Sequence, residues 1–372
     1  MRYQQPIKQI LIATRSFWDR PETRPAVRQN FDKITKCGTL ALGAEVYASE
    51  TEEKLVPHTC KVRPCPSCGH RATIQWQREQ WCALPDTAYV GIVFTMPNVL
   101  WPIFQQNRHL LHDLPRLGAA VIQQWAKLKC GVGVPIMVIP HTFGGRLNFN
   151  PHLHILVSAG GLQESGGRWV NGSVFDENKD KGKLMSMWRF AVITYLRAAM
   201  DAKVLTSDLS SQRLKTRLRE QYERWWSIDV DTFESKKHFL RYAGRYVRRP
   251  PIAQYRFVKI TDREVQFWTK DKIQKQRVNI SFTPEEFVAT LVEHVPDRYQ
   301  HGIRYFGLLA PGPRARTSAA VFALLGQQKR PYPARLGWAF LLRRDFGKAP
   351  LIDRRGQPMC WVGRLKASVK AG

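Results

Sequence analysis

The chain has 372 residues, 44% of them hydrophobic, which excludes a disordered tail and allows two or three domains with a buried core. No run of eighteen apolar residues occurs, so a membrane span is excluded. The first twenty residues break their apolar stretch at Lys8 and offer no signal-peptide cleavage site. Lysine and arginine number 58 against 30 acidic residues, a net charge of +28 spread through segments that look folded; this favours a nucleic-acid partner over a membrane surface or a ribosomal-type scaffold, in the cytoplasm.

Residues 1 to about 85 combine short apolar runs with four cysteines, Cys37, Cys60, Cys65 and Cys68, and a helix-like stretch, ATIQWQREQWCAL. An odd total of seven cysteines in a cytosolic chain argues against a disulfide scaffold, and Cys82, Cys130 and Cys360 stand alone. TAYVGIVFTMPN reads as a buried strand stopped at Pro97, and Asn107 to Lys129 has helical periodicity with a break expected at Pro115. GVPIMVIPHTFG and PHLHILVSAGG read as two strands of a hairpin joined by GRLNFN. Helical spacing continues from 180 to 226, and a further helix around KKHFLRYAGRYVRR stops at Pro250 and Pro251. YRFVKITDREVQFW suggests a second hairpin. In SFTPEEF, Thr283 is placed as N-cap, Pro284 at the first helical position and Glu286 at the capping-box position. Beyond about residue 310 the chain is rich in proline and arginine and suggests no compact fold.

Three features carry chemistry. On a strand, His152 and His154 project from one face while Leu153 points the other way, which offers two imidazoles to one metal ion; alone, such a pair is as readily a half-buried packing face. On the later helix, Tyr242 and Tyr246 are four apart and share a face, with His238 one turn earlier. Lys236, Lys237, Arg241, Arg245, Arg248 and Arg249 surround them without an acid, a setting suited to DNA phosphates and to stabilising a phenolate. The spacing C-x4-C-x2-C at Cys60, Cys65 and Cys68 forms a knuckle for tetrahedral Zn²⁺, with Cys37 the preferred fourth ligand and His58 or His70 as alternatives.

The segments HTFGGRLNFNPHLHILVSAGG and LRYAGRYVRRPPIA, in that order, resemble the two-tyrosine HUH transposases of bacterial insertion sequences. The similarity is to the insertion sequence ninety-one family, including ISCR-type elements, with Helitrons as distant relatives. HTCKVRPCPSCGHR and HGIRYFGLLAPGPRAR extend it over roughly residues 30 to 325. The resemblance implies His152 and His154 as ligands of a catalytic Mg²⁺ or Mn²⁺, and Tyr242 and Tyr246 as nucleophiles that form a 5′-phosphotyrosine. It also points to His141, on the neighbouring strand, as third ligand in preference to Asn150 or His238. The family often carries a further C-x-x-C where this chain reads VYASETEEKL, so a second zinc there is not expected. The tail LIDRRGQPMCWVGR keeps only Cys360, and no metal is expected there either.

The expected architecture is α+β. A zinc-binding, DNA-binding domain (1–85) precedes an HUH catalytic domain (86–265) with a central antiparallel sheet and flanking helices, followed by a basic C-terminal region (266–372). The expected activity is rolling-circle transposition on single-stranded DNA, in a bacterial cytoplasm and nucleoid-associated when bound, without ATP since no Walker A pattern occurs. A replication initiator of the same chemistry, or a non-catalytic zinc-containing DNA binder, are the alternative readings.

Overall fold

The computed structural model describes residues 5–165, 167–172, 174–248, 250–271 and 275–367. At its centre is a five-stranded sheet built from β1 (Tyr89–Phe94), β2 (Pro135–Phe143), β3 (Phe149–Ser158), β4 (Ile228–Phe233) and β5 (Arg304–Gly307). The strands run in the order β5-β2-β3-β1-β4, every neighbouring pair antiparallel. The sequence YVGIVF of β1 is nearly continuous in apolar residues because both faces of the sheet are covered. Leu153, Ile155 and Val157 face the main core beneath α2 (Leu114–Cys130) and α3 (Glu177–Asp201). Tyr89, Met137, Ile139 and Leu156 face α1 (Gly69–Ala83) and α4 (Lys236–Val247) on the opposite side.

Glycines set how closely α4 approaches. A Cβ at Gly91 would stand 2.8 Å from Cε1 of Tyr242, so the ring lies on bare backbone at the middle of β1. A Cβ at Gly244 would meet Gln77 of α1 at 2.4 Å, and Gln77 Nε2 donates to Leu240 O at 2.8 Å, joining the two helices directly.

The second core joins distant parts of the chain. Ile7, Leu11, Trp18 and Phe31 pack with Phe267, Phe287 and Val288. The latter come from the sheet that includes Val265–Lys270 and from α5 (Pro284–His294), whose Thr283–Glu286 capping box is formed as expected. Residues 266–372 therefore share cores and sheets with the segments before them: β5 completes the central sheet, and Cys360–Leu365 pairs with Ala44–Ala48. The proline- and arginine-rich end is also more ordered than its composition suggests, with helices over Pro311–Leu324 and Trp338–Phe346. The stretch from Asn107 to Lys129 does divide at Pro115: a 3₁₀ helix over Arg108–His112 ends before α2, and Pro115 sits in the first turn of α2, where its missing N–H costs nothing.

The β2–β3 hairpin turn is held from outside. Leu147 adopts φ +61°, a conformation a branched residue seldom takes, while its side chain is buried in the second core. His294 Nε2–H donates to the Leu147 carbonyl at 2.8 Å, leaving Nδ1 to accept from the Thr142 hydroxyl at 3.3 Å. Burial, with a smaller contribution from Arg108, pushes the His294 pKa from 6.5 down to about 4, against the opposing pull of the Leu147 carbonyl. The unfolded chain thus takes up this proton near pH 6.5 while the folded chain resists until about 4. The stability contributed by His294 is complete above pH 6.5 and is lost as pH falls toward 4. Urea unfolding between pH 7 and 4 should show this acid sensitivity. His294→Gln should be less stable at neutral pH by about 1–3 kcal/mol, yet lose less on acidification; equal pH dependence in the two proteins would contradict the assignment.

Candidate active site and cysteine cluster

His141 on β2 and His152 on β3 are direct cross-strand partners, so their rings stand side by side on one face. His154, two residues on, shares that face. One ring nitrogen from each of the three lies within 4.8 Å of the others. His152 Nδ1 lies 2.7 Å from Asn150 O and His141 Nε2 lies 2.9 Å from Tyr246 O. A carbonyl only accepts, so these nitrogens carry the protons, and the lone pairs fall on His152 Nε2 and His141 Nδ1. His152 Nε2 faces His154 Nε2 at 3.2 Å. Backbone carbonyls that fix the tautomer of each imidazole are a common support for metal ligands. Burial, and then the charges of His154, His152 and Arg63, hold the His141 pKa well below its usual value. Three converging imidazoles fit a divalent cation. Asn150 contributes its backbone oxygen to this arrangement, and His238 is exposed on the outer side of α4.

The two tyrosines occupy unequal positions. Tyr246 stacks on His154 with ring centroids 3.7 Å apart and an interplanar angle of 23°. Tyr242 is one turn further from the histidines, 9% exposed, beside Phe233 and 5.1 Å from the Tyr246 ring. Burial raises its pKa, and hydrogen bonding to Tyr246 and Asp231 raises it further. Asp231 lies on edge strand β4 directly opposite Gly91 and was missed in the sequence. The alternation IDVDTF was the available signal, but without β4 nothing tied Asp231 to the tyrosine.

Of the basic residues, Lys237, Arg241 and Arg245 are exposed and recur at helical spacing on α4, and the exposed Arg248 caps its end, so the four form one basic ridge. Lys236 departs from the expectation. It is buried, donates to Leu84 O at 2.8 Å and Trp81 O at 3.0 Å, and pairs with Asp86 at 2.8 Å, so it anchors α4 and faces no DNA surface. Burial lowers its pKa, opposed by Asp86. Arg249 lies outside the described residues.

Cys37, Cys60, Cys65 and Cys68 converge, with Sγ separations of 3.6 Å for Cys37–Cys68 and Cys60–Cys68 and 3.8 Å for Cys37–Cys65. A tetrahedron with Zn–S bonds of about 2.3 Å has edges of about 3.8 Å, so the four thiols match zinc. Mutual hydrogen bonds lower the Cys37 and Cys68 thiols and raise those of Cys60 and Cys65, as four thiols crowded together without a cation must share the proton loss unequally. The alternatives are engaged elsewhere: His58 contacts Leu42 O and Glu45, and His70 contacts Asp345. Cys65→Ser should reduce tightly held zinc from about one per chain toward none and lower the melting temperature by several degrees, because α1 begins at this knuckle and supports α4. Elemental analysis and thermal unfolding check this; unchanged melting after zinc loss would show that the cluster does not brace the fold.

Residues 135–318 match the family model described as “Putative transposase”, and residues 10–96 match “Transposase zinc-binding domain”. The chain is 33% identical over 289 residues to the “Transposase for insertion sequence element IS801” of Pseudomonas savastanoi pv. phaseolicola, covering 75% of this chain and 69% of that protein. It is 29% identical over 355 residues to “Putative transposase y4qJ” of Sinorhizobium fredii (strain NBRC 101917 / NGR234), covering 91% and 88%. No solved structure gives a significant match. A zinc-binding region followed by a transposase region, with a relative one-third identical over two thirds of its own length, means that this chain belongs to the IS91 family of transposases.

Proposed function

We propose that this transposase nicks and transfers single-stranded DNA by a rolling-circle route, with Tyr246 and Tyr242 as successive nucleophiles. The observation that carries this reading is the stacking of Tyr246 on His154, beside His141 and His152. A divalent ion held by those three histidines, Mg²⁺ or Mn²⁺, would polarise a non-bridging phosphate oxygen and offset the charge that builds during in-line displacement. The exposed ridge of Lys237, Arg241, Arg245 and Arg248 would hold the strand by its phosphates. The Tyr246 oxygen attacks phosphorus and gives up its phenolic proton. The bond to the 3′ oxygen breaks, that oxygen gains a proton, and a 5′-phosphotyrosine and a free 3′-OH result. The phosphoester energy stays in the protein–DNA bond, so rejoining needs no nucleotide cofactor.

The second tyrosine allows exchange without a free end: one phenol holds the first strand while the other attacks the next. Tyr242 is more buried and its proton more tightly held, so it is assigned the second attack. A shift of the helix, or weakening of Tyr246 as acceptor of the Tyr242 proton once that phenol is esterified, would release it.

His152→Ala or His154→Ala should cut nicking by about 100-fold or more while DNA affinity stays within about twofold, because the basic ridge supplies most of the binding. EDTA should act in the same way. Nicking by the double alanine variant in chelator would refute the metal assignment.

The tyrosines separate in an adduct assay on single-stranded oligonucleotides. Tyr246→Phe should lose nearly all of the first covalent adduct. Tyr242→Phe should still form that adduct but fail to complete transposition. The reverse order, or full transposition by Tyr242→Phe, would overturn the division of labour.

A further inference from the structure

Two arginines, Arg63 and Arg108, line the cleft that opens beside His141 and His152. They differ in one respect. Arg108 is neutralised, pairing with Glu293 and Asp297 and donating to the backbone oxygens of Glu293 and Val295 at 2.9 and 3.1 Å. Arg63, half-buried, meets no carboxylate among the described residues. Its Nη2 donates to Pro140 O at 3.3 Å, immediately before His141. Its guanidinium rests against the backbone at Gly302, where a Cβ would come within 2.8 Å of Nη1 and 3.0 Å of Cζ. Arg248 is close enough for its like charge to act on Arg63. A half-buried cation that lines a cleft without an acidic partner is favoured when an anion enters.

Arg63 stands between Cys60 and Cys65, so the cysteine knuckle sets where its side chain begins. We propose that Arg63 is a phosphate-binding residue of the active site: the zinc knuckle delivers its guanidinium to the histidine cleft, where with Arg248 it holds a phosphodiester next to the one that is cut. The identity of the anion as a DNA strand rests on the functional reading above. A guanidinium can give two parallel N–H bonds to non-bridging oxygens, which fixes the direction of the strand as well as its distance; an ammonium offers one point of charge. The zinc-binding region is then part of the catalytic site and not only a separate grip on DNA.

The test uses the full chain, loaded with zinc and Mn²⁺, and a fluorescent single strand carrying the terminal sequence of its element. Arg63→Gln should form adduct about 10- to 100-fold more slowly, as expected for loss of charge-assisted hydrogen bonds. Arg63→Lys should recover part of the rate. Zinc content and melting temperature should match wild type. The slope of log affinity against log salt should become shallower by about 0.7, equivalent to one phosphate contact on a single strand. A single methylphosphonate scanned along the strand should slow wild type at a position adjoining the cut, with no such effect in Arg63→Gln. Wild-type rate and salt slope in Arg63→Gln, or the same methylphosphonate profile in both proteins, overturn the proposal. If Arg63→Gln loses zinc, Gly302→Ala displaces the guanidinium from the opposite side without touching the knuckle. Unchanged adduct formation there also overturns it. Absence of adduct from wild type on any strand refutes the nicking reading instead, and the salt slope alone then decides whether Arg63 holds phosphate.

Discussion

The register between Pro135–Phe143 and Phe149–Ser158 places His141 opposite His152, and the rest of the site is assembled on that pairing. Side chains alternate along each strand, so a slip of one residue would turn both histidines of β3 into the apolar core and expose Leu153. The register is secured at both ends. β1 and β5 pair on either side of the hairpin, and at the turn the second core encloses Leu147 while His294 takes its carbonyl. The left-handed backbone at Leu147 persists because several independent contacts determine it together.

The tyrosine helix depends on the same sheet in another way. Tyr242 can lie flat only because β1 presents Gly91 beneath it, and the backbone oxygen of Tyr246 meets His141. On its other side α4 is braced by α1, which starts at the last cysteine of the knuckle. A metal cluster, a helix pair and a sheet therefore form one continuous support for two phenols. Gln77 and Gly244 mark where the helix that starts at the cysteine cluster meets the tyrosine helix.

Much of this was legible in the residues. The period-two pattern of PHLHILVSAGG and the near-continuous apolar run of TAYVGIVFTMPN identify central strands, and the capping residues of SFTPEEF identify a helix start. The cysteine spacing and the paired tyrosines identify the elements that the structure brings together. What could not be read were features decided by distant partners. β4 turns only Ile228 and Val230 toward the main core and Phe233 toward α4, too short a pattern to register as a strand until β1 supplies its neighbour. Lys236 looks like its basic neighbours in sequence, and only the carbonyls of Trp81 and Leu84, with Asp86, draw it inward. Arg63 carries no local signal at all; its meaning comes from Pro140 and Gly302, both far along the chain.

The pairing of Cys360–Leu365 with Ala44–Ala48, and of the first helices with Phe267 and Phe287, bears on the order in which the protein is made. During synthesis the four cysteines emerge long before the residues that cover them. Of the apolar partners of Ile7, Leu11 and Phe31, Phe267, Phe287 and Val288 are not yet present, and contacts of such long separation form slowly. Zinc ligation needs only the first 68 residues, so it can organise the nascent segment while its hydrophobic shelter is still being translated. The metal then acts as a scaffold in time as well as in space, holding Arg63 and the start of α1 in place until β2, β3 and α4 arrive to be built against them.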